Sequence, residues 1–455
     1  MTTRVLVVGL AVTGSAVVRH RVALGDDVVV IDDQPEGETW EARAAEAREL
    51  GAEVVAAPDA DHAAALAAGV DLVVPSPGVP ERHPSIAAAR RHGVAIRSEI
   101  DLAGEVAARR GRPAIVAVTG TNGKTTVTTL ATDILEAGGV RVTAAGNIGR
   151  PLLEAVHDDV DVVVAEVSSF QLAFTDQFAP HAAALLNLGA DHLDWHRTFD
   201  AYAHAKAAVF LRQGPQDVLV FNADDPVVAG LAAEAPGRRV PFSIVDGAAH
   251  GARIVATVSG PVLVAPDGEE IVAVEALEPR RPVDLANALA ASALALEVGA
   301  DHDAARAALV AFEGLRHRME LVADFDGVRW IDDSKATNVH ATIAATRGLA
   351  DIVLLAGGRN KGIDLGELRV LAPQLRAIVA IGEAATEIVD TFAGLVNVVR
   401  AGSMRAAVAS ASELAHPGDT VLLSPGCASF DWYPSYAARG DDFAAEVQAL
   451  VEVQR

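Results

Sequence analysis

The sequence predicts an α/β protein of three domains: an N-terminal Rossmann-like domain, a central mononucleotide-binding domain with a phosphate loop (P-loop), and a C-terminal Rossmann-like domain. Three observations predict it. Short β-branched runs alternate with Ala-rich helical stretches along the chain, the pattern of parallel sheets covered by helices. A length of 455 residues exceeds what one ordinary core accommodates. Polar or glycine breaks near residues 106 and 314 interrupt the alternation. The domains are therefore expected at 1–106, 107–314 and 315–455.

In the first domain, strands are expected at 5–8, 28–31, 54–56, 72–74 and 94–96, with a helix at 15–24 that Gly25 stops. The break Arg109-Arg110-Gly111-Arg112-Pro113 precedes a new series, with strands at 115–118, 142–144, 162–165, 183–186 and 218–221. Antiparallel hairpin material at 253–274 and a helix at 285–298 close it. Past Gly314, a hairpin around Asp326-Gly327 leads to strands at 352–355, 378–381 and 421–423. Ligands are expected in clefts of such an arrangement.

Composition narrows the class. A chain that is 51% hydrophobic and 22% charged, with 38 Gly and 21 Pro, reads as globular rather than disordered or fibrous. No apolar run reaches the roughly 18 to 20 residues that span a bilayer, so no membrane insertion is expected. The start MTTRVLVVGLAVTG lacks the order of a secretory signal. The single cysteine, Cys427, excludes an intrachain disulfide framework and suits a reducing, cytoplasmic setting. With 37 Lys+Arg against 61 Asp+Glu, the formal charge of −24 repels nucleic acid. A monomer acting on small molecules is expected.

The sharpest local signal is Gly120-Thr121-Asn122-Gly123-Lys124-Thr125-Thr126, which follows a predicted strand and precedes a helical run at 127–135. Glycines let successive backbone N–H groups point at phosphate, and the helix N-terminus adds the positive end of its dipole. In such a loop Lys124 reaches the β- and γ-phosphates while Thr125 ligates Mg²⁺. The spacing is a shortened variant of GxxxxGK[ST], since Val118 stands where the outer glycine would be. A plain glycine turn with a surface lysine accounts for the residues but not for their place between strand and helix.

The turn Gly9-Leu10-Ala11-Val12-Thr13-Gly14 is weaker, because Ala11 replaces the middle glycine that permits close pyrophosphate approach. Asp32 ends the second strand, where a ribose-binding acid sits in dinucleotide folds. Residues alone leave NAD and another nucleotide open. Glu166 ends a predicted strand at the edge where such sheets hold ligands, and a carboxylate there can hold Mg²⁺. His192 follows the next strand, but a single histidine is more often structural. Lys206 lies on a helix, where a lysine is usually a solvated face.

GTNGKTT, EVSSFQL, DHLDWH with Lys206, HRME, DDSKATN and SPGCASFDWYPSYAARG occur in this order along nearly the whole chain. The set resembles the Mur ligases, ATP-dependent amide-bond ligases of peptidoglycan synthesis. DDSKATN and the final motif are similar to the branch that adds D-glutamate to UDP-N-acetylmuramoyl-L-alanine.

The resemblance implies roles by position. Gly120, Thr121, Asn122, Gly123, Lys124, Thr125 and Thr126 form the ATP loop, with Asn287 beside adenine, Arg318 reaching phosphate and Asp333 on ribose. Glu166 and His192 bind magnesium with Thr125, and Lys206 is carbamylated to hold a second Mg²⁺. Lys124, Glu166, His192 and Lys206 are thus the implied catalytic group. Lys335, Thr337, Lys361, Ser429, Phe430 and Tyr436 bind D-glutamate. Thr13, Ser76, Pro77, Gly78, Asn147, Ser168 and Gln171 bind the UDP substrate, which favours a uridine nucleotide at the N-terminal turn.

Three departures stand out. Val283-Asp284-Leu285-Ala286-Asn287 replaces His-Asn-x-x-Asn, so only Asn287 is carried over. Arg359 stands where an acid is common, and Asp33-Gln34 stands where a Thr-Arg pair contacts the nucleotide. The implied chemistry is acyl-phosphate formation followed by amine attack. The alternatives are a ligase for another amino acid or a folate, a nucleotide-gated binding protein, and a nicotinamide oxidoreductase, which Ala11 and the ATP loop disfavour.

Overall fold

The computed structural model describes residues 2–245 and 250–454. Its chain divides into two compact units, one of Met1–Leu188 with Asp200–Phe312 and one of Gly189–Phe199 with Glu313–Arg455. The first unit holds two sheets and the second holds one.

The first sheet comprises β1 (Arg4–Val8), β2 (Asp27–Asp32), β3 (Glu53–Ala56), β4 (Leu72–Pro75) and β5 (Ala95–Ile96). All pair in parallel, in the order β3-β2-β1-β4-β5. Val5, Leu6, Val7 and Val28 to Ile31 are buried, as continuous apolar strands covered on both faces must be. The following helix, Val12–Ala23, starts three residues before the predicted position. The Ser15 N–H donates to the Ala11 carbonyl, so the first turn is already formed before Ser15, which is buried in it. Gly14 is required there because a Cβ at that position would collide with the Gly9 carbonyl oxygen.

The second sheet has nine strands: β6 (Ala114–Thr119), β7 (Val142–Gly146), β8 (Val162–Glu166), β9 (Ala182–Leu185), β10 (Val218–Asn222), β11 (Arg238–Ser243), β12 (Ala252–Thr257), β13 (Gly260–Val264) and β14 (Glu270–Ala273). Their order, β14-β13-β12-β11-β10-β9-β6-β8-β7, puts β6 between β8 and β9, so its C-terminal end is a topological switch point. The helices Lys124–Ala137, Pro282–Glu297 and His302–Ala311 pack together, burying Val127, Leu130, Ile134, Leu289 and Leu309.

Two of these elements lie outside the sequence expectation. β11 contains Pro241 and two arginines and reads as loop, but β10 and β12 supply ladders on both sides. The series does not close with the helix Pro282–Glu297, since His302–Ala311 follows it. Asp301 caps that last helix by accepting from the Ala304 N–H at 2.8 Å.

The second unit is built on β15 (Glu320–Phe325), β16 (Val328–Asp332), β17 (Ile352–Gly357), β18 (Leu375–Ile381), β19 (Asn397–Arg400) and β20 (Thr420–Gly426). Their order is β15-β16-β20-β17-β18-β19, parallel except for the β15–β16 hairpin. β19 is a further strand that the sequence reading did not anticipate; only its two central residues are partly buried. One face buries Leu354, Ile378 and Phe392, and the other buries Trp330, Val353 and Phe443. The three-domain α/β class matches the expectation. Among the described residues no helix is long and apolar enough to cross a membrane.

Candidate functional site

The phosphate loop leaves β6 at the switch point. Gly123, with φ 85°, caps the helix Lys124–Ala137, and a Cβ there would lie 2.6 Å from Asn287 Oδ1. Glycine therefore lets the adenine-side candidate Asn287 approach the loop directly. Asn187 clamps the loop from the end of β9: its Oδ1 accepts from the Asn122 N–H at 2.9 Å and its Nδ2 donates to the Asn122 carbonyl at 3.0 Å. The Thr121 N–H donates to the Asn187 carbonyl, and Thr121 Oγ1 lies 2.9 Å from the hydroxyl of buried Tyr202. Lys124 Nζ donates to the carbonyls of Gly120 and Thr121 at 2.9 and 2.8 Å. Thr126 is buried one position past Thr125.

Glu166 ends β8, next to β6, and is 2% exposed. Thr125 Oγ1 donates to its Oε2 at 2.8 Å, and Asn147 Nδ2 donates to its Oε1 at 2.8 Å. A hydroxyl and a carboxylate make an all-oxygen donor set, and both groups bonded to the carboxylate here are neutral. Such a set fits a hard divalent cation. Ser168 and Gln171 are buried and bonded to each other in the capping box of the short helix Ser169–Leu172.

Lys206 departs from the plain reading of a helical lysine. On the helix Phe199–Ala207 it is 2% exposed, and its Nζ donates to the Gly120 carbonyl at 2.8 Å. Nζ also lies 3.4 Å from Thr119 Oγ1 and 5.0 Å from the centre of the Tyr202 ring. Tyr202 and Lys206 are four residues apart, so they share one helix face. That spacing is the sequence signal that could have identified Tyr202.

At the N-terminal turn, Ser76 Oγ donates to the Gly9 carbonyl at 2.8 Å, and Ser76 is buried. Thr13 lies in the first turn of the helix, while Pro77 and Gly78 continue the loop after β4, with Gly78 at φ 99°. Asp32 accepts from the Leu10 N–H at 2.7 Å and the Gln34 N–H at 3.0 Å, so both oxygens hold local backbone. Asp33 lies 3.0 Å from His83 Nε2. Among the departures, Asp284 is bound by Arg281, and Arg359 pairs with Glu383 at the surface.

Glu166 belongs to the first unit and His192 to the second. His192 has φ 53° and opens the short helix Leu193–His196, with its N–H donating to Asp191 Oδ1 at 2.9 Å. Asp191 Oδ2 accepts from Asn338 Nδ2 at 3.1 Å, so the last residue of DDSKATN anchors the histidine segment.

In the second unit the candidates follow the parallel strands at their C-terminal ends. Asp333 follows β16 and accepts from Ser424 Oγ at 2.9 Å. Lys335 Nζ lies 3.9 Å from the centre of the Tyr436 ring, a cation–π contact. Thr337 and Lys361 are half-buried, Ser429 is buried, and Phe430 is 57% exposed. Arg439 binds this edge together: Nε donates to Ser334 Oγ at 2.9 Å, one terminal nitrogen to the Ser334 carbonyl at 2.8 Å, and the other to the Cys427 carbonyl at 3.1 Å. Burial lowers the Arg439 guanidinium to about 10, which leaves it charged at neutral pH. Burial also raises the Cys427 thiol to about 12, so it is no nucleophile. Asn187, Tyr202, His317 and Arg439 are the residues that sequence reasoning did not assign.

A phosphate loop at a switch point, in a chain with two further doubly wound α/β sheets, is a frame that ATP-dependent amide ligases use, and the matching family models place the chain in that class. Residues 3–98 match the N-terminal domain of MurD-like Mur ligases, 118–295 the Mur ligase middle domain, and 317–427 the Mur ligase glutamate ligase domain. The chain is 46% identical to UDP-N-acetylmuramoylalanine--D-glutamate ligase of Frankia casuarinae, over 98% of this chain and 94% of that one. It is 39% identical to the enzyme of the same name from Syntrophotalea carbinolica, over 98% and 97%. The chain belongs to the Mur ligase family, on its MurD-like branch. In fold it is similar to the MurF ligase of Thermotoga maritima (TM-score 0.62, 16% identity, 94% of this chain and 96% of that one). It is also similar to a pseudomurein peptide ligase of Methanothermus fervidus (TM-score 0.60, 18% identity, 98% and 100%).

Proposed function

We infer that the protein joins D-glutamate to UDP-N-acetylmuramoyl-L-alanine at the expense of ATP, in the cytoplasmic stage of peptidoglycan synthesis on which cell shape and division depend. The observation that carries the reading is the contact of Thr125 with Glu166 beside a phosphate loop that leaves β6 at the switch point. The division of labour follows the chain in outline: most uridine-nucleotide residues lie in 1–106, most ATP residues in 107–314, and the amino-acid residues in 315–455.

A carboxylate does not react with an amine at neutral pH until its oxygen becomes a leaving group. The L-alanyl carboxylate attacks the γ-phosphorus, the bond to the bridging oxygen of ADP breaks, and an acyl phosphate forms. The D-glutamate amine then attacks the acyl carbon, and phosphate leaves as the tetrahedral adduct collapses to the amide. Lys124 and Arg318 face the phosphates, and loop N–H groups hold them in line. Lys335 and Ser429 pair with glutamate carboxylates, with Thr337, Lys361, Phe430 and Tyr436 around them. Thr13, Ser76, Pro77, Gly78, Asn147, Ser168 and Gln171 hold the UDP substrate, while Asn287 and Asp333 hold adenine and ribose.

Thr125, Glu166, His192 and carbamylated Lys206 would hold Mg²⁺, which when bound neutralises charge on the transferring phosphoryl group. Lys206 is 2% exposed with its Nζ against the Gly120 carbonyl, so a carbamate formed on it would set anionic oxygen ligands beside the phosphate loop. The test is incubation with ATP, Mg²⁺, UDP-N-acetylmuramoyl-L-alanine and a panel of amino acids including both glutamate enantiomers. A product with D-glutamate and phosphate release dependent on both co-substrates is expected. Release independent of them, or a product only with another amino acid or a folate, overturns the reading.

A further inference from the structure

The turn that carries Arg318 adopts backbone angles that its residues resist. His317 has φ 60° and Met319 φ 54°, in the left-handed region that a histidine enters more readily than most side chains and a methionine seldom. The holding contacts converge on His317. Its N–H donates to Glu320 Oε2 at 2.8 Å, and its carbonyl accepts from the Lys335 N–H at 3.1 Å. Its ring Nδ1 lies 2.7 Å from Asp332 Oδ2, with the two side chains 6% and 1% exposed. The other oxygen of Asp332 accepts from the Ser334 N–H at 2.8 Å.

One histidine therefore joins the Arg318 turn to the start of the loop after β16, where Asp333 and Lys335 lie. The helix Tyr436–Gln454 completes the arrangement. A Cβ on Gly440 would run into His317 Nδ1, so the helix backbone itself presses on the pair. The Tyr436 ring stands edge-on to His317 at 6.2 Å and carries Lys335 Nζ on its face.

The ligand atoms of His317, Glu320 and Asp332 lie within 4.8 Å of one another, a spacing that a cation could use. The hydrogen bonds decide against it. A cation there would compete for the oxygen that holds the His317 N–H, and for Asp332 Oδ2, both engaged with the histidine. These bonds fix the strained turn.

We propose that His317 is a positioning residue for amino-acid ligation: bonded to Asp332 through its ring and to Glu320 and Lys335 through its backbone, it sets Arg318, Lys335 and Tyr436 as one rigid group. The proposal rests on Lys335 and Tyr436 belonging to the D-glutamate site. His317 itself does not touch the substrate.

Steady-state kinetics with each substrate varied in turn, on wild type, His317→Gln, His317→Asn, Asp332→Asn and Lys335→Ala, tests it. Asparagine tolerates the left-handed region and places an N–H near the position of Nδ1, whereas glutamine carries its amide one atom further and does neither. In His317→Gln and Asp332→Asn the KM for D-glutamate is expected to rise about 10-fold or more while that for the UDP substrate stays within about 2-fold. His317→Asn is expected to recover to within about 3-fold of wild type.

A His317→Gln enzyme with unchanged D-glutamate KM, or with all three KM values raised together, overturns the proposal. Should that variant not fold, a His317→Asn enzyme as impaired as Asp332→Asn overturns it instead. If Lys335→Ala raises the D-glutamate KM while His317→Gln does not, only the positioning role falls. If Lys335→Ala leaves that KM unchanged, the assignment of the amino-acid site falls, and the positioning role with it.

Discussion

Thr125 Oγ1 donates to Glu166 Oε2 at 2.8 Å, joining the first turn of the phosphate-loop helix to the end of β8. The bond crosses from one strand's loop to the neighbouring strand at the switch point, where a parallel sheet opens to ligand. Each oxygen of this buried carboxylate accepts from one neutral donor, which leaves further lone pairs to a cation. Its geometry is set before any ligand arrives.

Glu166→Gln keeps an oxygen to accept from Thr125 but removes the charge. The variant is expected to fold, with the Asn147 amide turned so that its oxygen accepts from the new Nε2, and to lose about 100-fold or more in kcat, the scale of losing one preorganised charge-stabilising group. Thr125→Ala is expected to lose activity similarly. ADP release beside thermal denaturation measures both. A Glu166→Gln enzyme with full turnover would remove the carboxylate from the chemistry.

Lys206 allows a test that separates packing from chemistry. Lys206→Ala deletes a buried stem, so a stability loss of about 2 kcal/mol is expected from the cavity. Lys206→Met fills the space and is expected to restore stability without activity. If the amine acts as a carbamate, formate or acetate partly restores turnover to Lys206→Ala but not to Lys206→Met, and wild type slows when dissolved CO₂ is stripped. Full activity of Lys206→Met in CO₂-free buffer would reject the carbamate.

The loop was legible in the sequence because its chemistry is local: strand, glycines, lysine and helix lie within some twenty residues. The burial of Lys206 was not, because a helix with little amphipathic contrast does not reveal which side faces the core. Tertiary packing decides it, through Tyr202 and the Gly120 carbonyl. His317 escaped for another reason. Its partner Asp332 is fifteen residues away and Gly440 far beyond, so only the folded sheet edge brings them together. β11 was missed because Pro241 and its arginines argue locally for a loop, while two neighbouring strands outweigh them.

Glu99 gives a prediction about stability. It is 1% exposed, and burial raises its carboxyl from 4.5 to about 7, against the pull of the Leu153 N–H bonded to its Oε1 at 2.6 Å. Between those two values the folded chain keeps a proton that the unfolded chain has released. Stability therefore falls as pH rises through this window and levels off above pH 7 or so. Glu99→Gln, which stays neutral, is expected to gain relative to wild type across the same window, by on the order of 3 kcal/mol. Urea unfolding at pH 5 and pH 8 measures the difference. A gap that does not widen with pH would contradict the buried acid.

Asp32 separates the nucleotide readings of the first sheet. In a dinucleotide fold the acid ending the second strand is available to a ribose hydroxyl. Here its two oxygens accept from the Leu10 and Gln34 N–H groups, so the carboxylate fastens the glycine turn to the end of β2. Asn at this position replaces one acceptor with a donor that faces a backbone N–H. Asp32→Asn is therefore expected to cost about 1 to 3 kcal/mol locally. Because the Leu10 N–H belongs to the same turn as Gly9, to which Ser76 is bonded, the loss should appear as weaker binding of the UDP substrate. Calorimetry is expected to show that affinity reduced about 10-fold, the scale of losing one such bond, with the ATP affinity unchanged. Gly14→Ala is expected to act in the same direction, by pushing the helix away from the Gly9 carbonyl. NAD is expected to give no heat with wild type or either variant; saturable NAD binding abolished by Asp32→Asn would restore the dinucleotide reading.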